Sequence, residues 1–135
     1  MKNPSGLMAT INVTNLRLRC YIGFNPEEQA KQQDIVINVR IRYLADGGIL
    51  DDRVESALDY KAITKRIIDH VDGQRFKLLE KLVFEVLGIC SDQPTIADAE
   101  VTIDKPHALR FADSVSLSAR YEANPNHHEE NTHEH

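Results

Sequence analysis

Lys105 lies where the apolar row of a predicted strand would continue, followed by His107 and Arg110 in a short connection to another strand. The residues before it alternate, with an apolar face formed by Ala99, Val101 and Ile103. Partial burial favours the neutral amine over the ammonium, so a lysine held there could act as a base near neutral pH. The alternative is a strand-end lysine that extends its ammonium into water, and this segment alone does not decide between the two.

Three other polar residues lie beside apolar stretches and could take part in a site. Glu80 falls close to the apolar stripe of a predicted helix, where its carboxylate could accept two hydrogen bonds from an amino-pyrimidinone ring. Tyr60 follows a predicted helix N-cap and could donate or position a proton. Glu28 lies in a predicted loop after Tyr21-Ile22-Gly23. The alternatives are a solvated helix glutamate, a tyrosine at an amphipathic rim and a surface charge.

The motifs of several common enzyme classes are absent from the sequence. It contains no Gly-rich phosphate loop, no His-Glu-x-x-His and no Cys-x-x-Cys. Cys20 and Cys90 lack metal-type spacing and lie in apolar contexts, which predicts reduced core thiols in a cytoplasmic protein. We therefore expect no covalent catalysis, no cofactor and no physiological metal. The C-terminal histidines, in a stretch without apolar residues, could collect only adventitious metal.

Length and composition indicate one ordinary globular domain. The chain has 135 residues, of which 41% are hydrophobic and 27% charged. Its formal net charge is -5, which argues against general affinity for nucleic acid, although it leaves room for a local basic pocket that binds a phosphorylated metabolite. No apolar run approaches the roughly 20 residues of a membrane span, and we expect no membrane association.

Hydrophobic periodicity predicts the element order β-β-α-α-β-β. Four alternating segments predict strands, near residues 10–21, 34–43, 99–105 and 114–121. The alternation of the first slips at Thr14-Asn15, as it would at a β-bulge. Asp59 is the predicted N-cap of one helix, which ends at Asp72-Gly73, and a second helix runs from about residue 77 to 90. Residues 23–33 are predicted to form a loop.

These elements favour an α+β fold, a four-stranded antiparallel sheet with both helices on one face. Such a sheet has two open edges, and its long regular strands invite pairing with other subunits, so we expect an oligomeric barrel that removes the edges. The predicted organisation is a flexible N-terminus at residues 1–8, a catalytic domain at 9–122 and a disordered tail rich in His and Glu at 123–135.

Four motifs in order give the chain a resemblance to the dihydroneopterin aldolase family, from about Ile11 to Tyr121. They are Tyr21-Ile22-Gly23 with Glu27-Glu28, then Leu58-Asp59-Tyr60, Leu78-Leu79-Glu80-Lys81-Leu82 and Ile103-Asp104-Lys105. Within the family, the sequence is more similar to the branch of epimerases that act on dihydroneopterin triphosphate. The aldolase branch commonly has His where Ile22 stands, and a Gly- or Pro-rich segment where this chain has His107-Ala108-Leu109-Arg110.

The resemblance implies a tunnelling fold, in which two stacked tetramer rings form a homo-octamer with sites between neighbouring subunits. It implies a small-molecule pterin as the partner. It implies that Glu80 anchors the pterin, with Leu79 beside it in the binding site. It further implies that Lys105 is the base working through water, that Tyr60 handles a proton, and that Glu28 lies near the side-chain hydroxyls.

The function implied is 2′-epimerisation of 7,8-dihydroneopterin triphosphate by retro-aldol and aldol chemistry. An epimerase must hold the aldehyde that an aldolase releases, and a triphosphate clamp could do so, with His107, Arg110 and one of Arg17 or Arg19 as candidates. One alternative is an aldolase that forms 6-hydroxymethyl-7,8-dihydropterin and glycolaldehyde. A second is a ring-forming scaffold that binds pterin without catalysis.

Overall fold

The computed structural model describes residues 7–123. The predicted tail, from residue 124 onwards, and residues 1–6 lie outside the described residues. The elements in order are β1 (Met8–Ile22), α1 (Pro26–Ala30), β2 (Gln33–Leu44), α2 (Gly47–Leu50), a 3-10 turn (Val54–Ser56), α3 (Tyr60–Val71), β3 (Arg75–Phe76), α4 (Leu79–Cys90), β4 (Ile96–Pro106) and β5 (Ser114–Glu122). None of the helices in residues 7–123 is long and apolar enough to cross a membrane.

The sheet confirms the predicted antiparallel architecture but has five strands, in the order β3-β1-β2-β4-β5. The prediction of four strands was wrong because β3 is only two residues long and pairs in parallel with the end of β1. β2 pairs with β1 only as far as Cys20, which leaves the backbone of Tyr21 and Gly23 free to bond the segment between the long helices. The N–H of Tyr21 donates to the backbone carbonyl of Gln74 (2.8 Å), and the N–H of Gly23 donates to the backbone carbonyl of Phe76 (3.0 Å).

The core lies on one face of the sheet, under α3 and α4. Alternate residues of β2 are buried there, namely Ile35, Ile37, Val39 and Ile41, as the sequence pattern predicts. They form one cluster with the apolar stripes of the two helices, which include Ile63, Ile67, Val71, Leu82, Val83 and Val86. Both long helices therefore cover the same face, and this packing fixes the ends of the strands that carry the candidate site.

The predicted slip in β1 is a β-bulge at Thr14-Asn15. Asn15 adopts a left-handed backbone with φ of 57°, which asparagine tolerates better than most residues. Its N–H donates to the Asn38 side chain (2.9 Å), and the Asn38 amide donates back to the Asn15 side chain (3.2 Å). The bulge keeps the second half of β1 in phase with the core.

The other face of the sheet is polar and contains a buried carboxylate. Asp98 is 1% exposed and binds Arg42, whose Nε and Nη2 lie 2.7 and 2.6 Å from its Oδ2. Arg40 and Arg120 also approach its carboxylate, each at 3.8 Å. These contacts join β2, β4 and β5, and the Asp98 carboxylate reduces the repulsion among three neighbouring cations.

We expect Asp98→Ala to lower the free energy of unfolding by about 3 kcal/mol, because it removes the buried carboxylate that Arg42 binds and increases the repulsion among the neighbouring arginines. Urea denaturation would measure this. The matched control is Asp92→Ala, which breaks a half-exposed pair with Arg66 (3.0 Å) and should change the free energy by less than about 1 kcal/mol. Equal effects of the two substitutions would show that the Asp98 cluster has no special structural role.

Candidate functional site

Lys105 and Glu28, two of the predicted site residues, are in direct contact. Lys105 lies at the end of β4, with its side chain 12% exposed, and its Nζ donates to Glu28 Oε2 at 3.1 Å. The ammonium is thus turned toward a carboxylate and does not extend into water. A cation and a carboxylate are therefore held in direct contact at the largely buried end of β4.

Glu28 is positioned by α1, a short helix where the sequence predicted only a loop. Asn25 caps this helix: its side chain accepts from the N–H of Glu28 (2.8 Å), and Glu28 Oε1 accepts from the N–H of Asn25 (3.5 Å). Pro26 occupies the first turn, where a missing N–H does no harm. The pattern Asn25-Pro26-Glu27-Glu28 is a capping box that could have revealed the helix. One oxygen of Glu28 therefore serves the cap, and the other faces Lys105.

Gly23 leaves room for the Glu28 side chain. Its φ is 135°, a conformation that L residues with a side chain rarely adopt. A Cβ at this position would overlap the carboxyl group and the Cβ of Glu28. Gly23 is thus a positioning residue for the Lys105–Glu28 pair.

We expect Gly23→Ala to lower kcat at least about tenfold, because Glu28 must leave its place beside Lys105. Backbone strain should also lower the free energy of unfolding by about 1–3 kcal/mol. In a Glu28→Ala background, Gly23→Ala should lower kcat little further, whereas a purely structural defect would lower it again. Steady-state kinetics of the single and double variants measure the difference.

Gly88→Ala is the matched control for this prediction. Gly88 lies in α4, and a Cβ there would meet nothing within 4 Å. Alanine in a helix interior is favoured by about 1 kcal/mol over glycine, so this variant should keep its activity and gain stability. A similar loss of kcat in both variants would contradict the positioning role of Gly23.

A cavity of about 510 Å³ opens beside the Lys105–Glu28 pair, and we call it the α1–β2 cavity. Its lining consists of Arg19, Glu27, Glu28, Lys31, Gln32, Gln33, Asp34, Pro106 and His107. The structure therefore brings His107 to the same place as Glu28 and Lys105. Arg110 is not part of this lining, and its guanidinium carbon lies 5.4 Å from the centre of the exposed Phe111 ring.

A second cavity, of about 300 Å³, lies on the Gly23 side of Glu28, and we call it the Tyr21 cavity. Its lining includes Tyr21, Gly23, Phe76 and Lys77. The Arg75 guanidinium carbon lies 3.8 Å from the centre of the Tyr21 ring, which gives the cavity one cationic wall. Its size and aromatic lining suit a flat heterocycle.

The remaining predicted site residues lie apart from the Lys105–Glu28 contact. Leu79 and Glu80 begin α4, directly after the Phe76-Lys77 wall of the Tyr21 cavity, with Leu79 partly buried and Glu80 exposed. Tyr60 begins α3, is 50% exposed and lines neither cavity. A single chain thus forms the Lys105–Glu28 pair, the α1–β2 cavity and the Tyr21 cavity. Its own Tyr60 lines neither cavity.

Neither cysteine has the character of a nucleophile. Burial raises the pKa of Cys20 to about 11, an effect that Asp72 strengthens and the charge of Lys105 opposes. Burial raises the pKa of Cys90 to about 12. Both are free thiols and are protonated at neutral pH. In residues 7–123, no group of three or more His, Cys, Asp or Glu side chains could hold a metal ion.

Comparison with known proteins identifies relatives of the whole domain. The family model described as FolB, dihydroneopterin aldolase, matches residues 11–120. The dihydroneopterin triphosphate 2′-epimerase of Escherichia coli K12 is 49% identical over 84% of this chain and 95% of its own. That of Pseudomonas aeruginosa is 48% identical over 82% and 90%. The crystal structure of E. coli dihydroneopterin aldolase in complex with neopterin matches with a TM-score of 0.76, at 23% identity over 84% of this chain and 98% of its own.

Proposed function

The chain belongs to the dihydroneopterin aldolase family, and from this membership we propose that it is a dihydroneopterin triphosphate 2′-epimerase. It would interconvert 7,8-dihydroneopterin triphosphate and 7,8-dihydromonapterin triphosphate. The observation that carries the proposal is the Lys105–Glu28 contact of 3.1 Å, in which Glu28 also lines the α1–β2 cavity, in a chain 49% identical to an epimerase. Lys105 and Glu28 form a pair of a basic and an acidic residue. The Tyr21 cavity offers space for a ring and the α1–β2 cavity offers space for a polar arm, an arrangement that suits proton transfer at the side chain of a pterin.

The proposed reaction begins when Lys105, acting through water, removes the proton of the 2′-hydroxyl. The C1′–C2′ bond then breaks, C2′ becomes an aldehyde, and the C=N bond of the dihydropterin takes up the electron pair. The aldehyde turns over, and the enamine carbon C1′ attacks its other face, which inverts C2′ and restores the C=N bond. The C2′ alkoxide then takes back the proton held by Lys105, through the same water. The dihydropterin accepts the electrons itself, so the step requires no Schiff base.

Each remaining residue has a proposed role in this sequence. Glu80 accepts two hydrogen bonds from the amino-pyrimidinone edge and Leu79 packs against the ring, which places the ring toward the Tyr21 cavity. Glu28 holds the side-chain hydroxyls beside Lys105. Tyr60 of the partner subunit handles a proton, since Tyr60 of the same chain lines neither cavity. Arg110 and His107, on the β4–β5 turn, contact the phosphorylated arm.

We propose that the protein assembles as a homo-octamer of two stacked tetramer rings with its sites between subunits. Two features support assembly. β5 is an edge strand of nine residues, and β3 covers β1 only at Tyr21 and Ile22. Long free edges of this kind pair readily with other strands.

The free buried thiols further support a cytoplasmic location, where thiols stay reduced.

Aldolase activity is the second proposed function, because epimerase and aldolase share the first bond cleavage. The aldolase fold of the chain supports it. The two reactions diverge after that cleavage: if C1′ is protonated and the aldehyde departs, the product is 6-hydroxymethyl-7,8-dihydropterin. Retention of the aldehyde is therefore the feature that would make this chain an epimerase.

The test is to incubate the purified protein with dihydroneopterin triphosphate and with dihydroneopterin, oxidise the products and separate the pterins chirally. Monapterin triphosphate should dominate from the triphosphate substrate. If 6-hydroxymethylpterin dominates from both substrates, the protein is an aldolase. If neither product forms, both proposals fail and a pterin-binding scaffold becomes the better account.

A further inference from the structure

We propose that the α1–β2 cavity is a polyphosphate subsite, with the Lys31 ammonium and the His107 imidazole as its principal hydrogen-bond donors and Arg19 as a further cation. This inference rests on the proposed function, because it assigns the substrate's phosphorylated arm to a place in the same site. Lys31 was not predicted as a site residue, because residues 23–33 were predicted to form a loop. The structure has the short helix α1 there, and Lys31 follows it directly.

The position of the cavity favours the arm of the substrate over its ring. The α1–β2 cavity and the Tyr21 cavity share no lining residue, but Glu28 lines the first, Gly23 lines the second, and a Cβ at Gly23 would overlap the Glu28 carboxyl. A ring held toward Glu80 beside the Tyr21 cavity places C2′ near Lys105. The arm beyond C2′ then extends past Glu28 and Pro106 into the α1–β2 cavity.

Among residues 7–123, the lining cation that is available for an anion is Lys31, because Arg19 is engaged by Asp34 (2.9 Å). Lys31 ends α1, and its ammonium forms no ion pair with any residue in the range 7–123. Of the three carboxylates in the lining, Glu28 is engaged by Lys105 (3.1 Å) and Asp34 by Arg19 (2.9 Å). Glu27 is the one carboxylate there without such a partner in residues 7–123, and it would oppose an anion. Removing its charge should therefore strengthen binding.

His107 supplies a second, independent argument through its backbone. It has a φ of 65°, in the left-handed region, where asparagine, aspartate and histidine are enriched among residues other than glycine. Its N–H bonds Asp113 O (3.4 Å) across the turn, so the chain is held in this conformation. The turn thus fixes the backbone of a residue that lines the cavity, which favours a ligand contact by His107.

Arg110 lies on the same turn but outside the lining of the cavity. It could reach only the outer end of a long arm. The geometry therefore assigns Arg110 a smaller part in phosphate binding than Lys31 or His107.

The test compares equilibrium binding of neopterin triphosphate and neopterin, two oxidised ligands that do not turn over. We expect Lys31→Met and His107→Asn each to raise Kd for the triphosphate about tenfold, the effect of losing one hydrogen bond to a charged group. Kd for neopterin should stay unchanged. Asparagine suits the left-handed backbone, so His107→Asn should fold at least as well as the parent. Glu27→Gln should lower Kd for the triphosphate.

Two further variants are controls. Arg110→Met is on the same turn as His107, and Lys61→Met is on the exposed surface of α3. Each should raise Kd for the triphosphate less than Lys31→Met does. Equal weakening of both ligands by Lys31→Met and His107→Asn, or no weakening of either, would overturn the subsite. Turnover of the wild-type protein is measured separately, so selective binding without epimerisation would refute the proposed function and support the subsite.

Discussion

Lys105→Met is expected to lower kcat for dihydroneopterin triphosphate by about a thousandfold, the usual contribution of a positioned general base. Methionine has a similar length and suits the buried end of β4, where the lysine side chain is only 12% exposed. Affinity for neopterin triphosphate should change much less, because Lys105 is proposed to act on the proton of the 2′-hydroxyl and not on the ring. Single-turnover kinetics together with equilibrium binding would separate the two effects.

Lys105→Arg distinguishes a base from a structural cation. Arginine keeps the positive charge beside Glu28, but its guanidinium does not lose a proton near neutral pH. The arginine variant should therefore be nearly as inactive as Lys105→Met. Lys65→Met, which removes an exposed lysine paired with Asp69 on α3, should have normal activity. Substantial activity in Lys105→Arg would mean that Lys105 only holds Glu28 in place.

Glu80→Gln is expected to raise Kd for neopterin about a hundredfold, with a smaller change in kcat. Glutamine keeps the shape of the side chain but loses the charge and one acceptor. Two charge-assisted hydrogen bonds to the ring would thus be weakened, at a cost of about 2.7 kcal/mol. Fluorescence titration measures this affinity. Glu85→Gln, on the next turn of α4, removes a carboxylate bound to His70 (2.8 Å) and should leave Kd unchanged. Equal Kd values for the two variants would exclude Glu80 as the ring anchor.

The strands and the placement of Lys105 were predictable because alternation records which face of a strand is buried. Apolar residues at spacing two preceded Lys105, and the core confirmed that phase. The bulge at Asn15 was visible for the same reason, as a break in a regular pattern. The partner of Lys105 was not derivable from spacing, because Glu28 is 77 residues away and reaches it only once the register of β1, β2 and β4 is set.

Other features of the structure were not predicted from the sequence. Some are too short to give a periodic pattern, and others depend on how several strands pair. β3 has two residues and no period to detect. α1 was hidden by its Gly, Asn and Pro, although Asn25 and Glu28 have capping-box spacing. The convergence of Arg40 and Arg42 on the buried Asp98 depends on how β2 and β4 pair, which the pattern within one strand does not give. Tyr60 lines neither cavity of the described chain, and its proposed role depends on the proposed subunit assembly.

The proposed mechanism requires that C2′ invert by breaking and re-forming the C1′–C2′ bond. The most direct measurement uses dihydroneopterin triphosphate carrying deuterium at C2′, with mass spectrometry of the monapterin product. A retro-aldol step leaves the C2′ hydrogen on the aldehyde, so the product should retain all of its deuterium. Loss of deuterium to solvent during inversion would show that C2′ itself is deprotonated, and would contradict the mechanism assigned to Lys105 and Glu28.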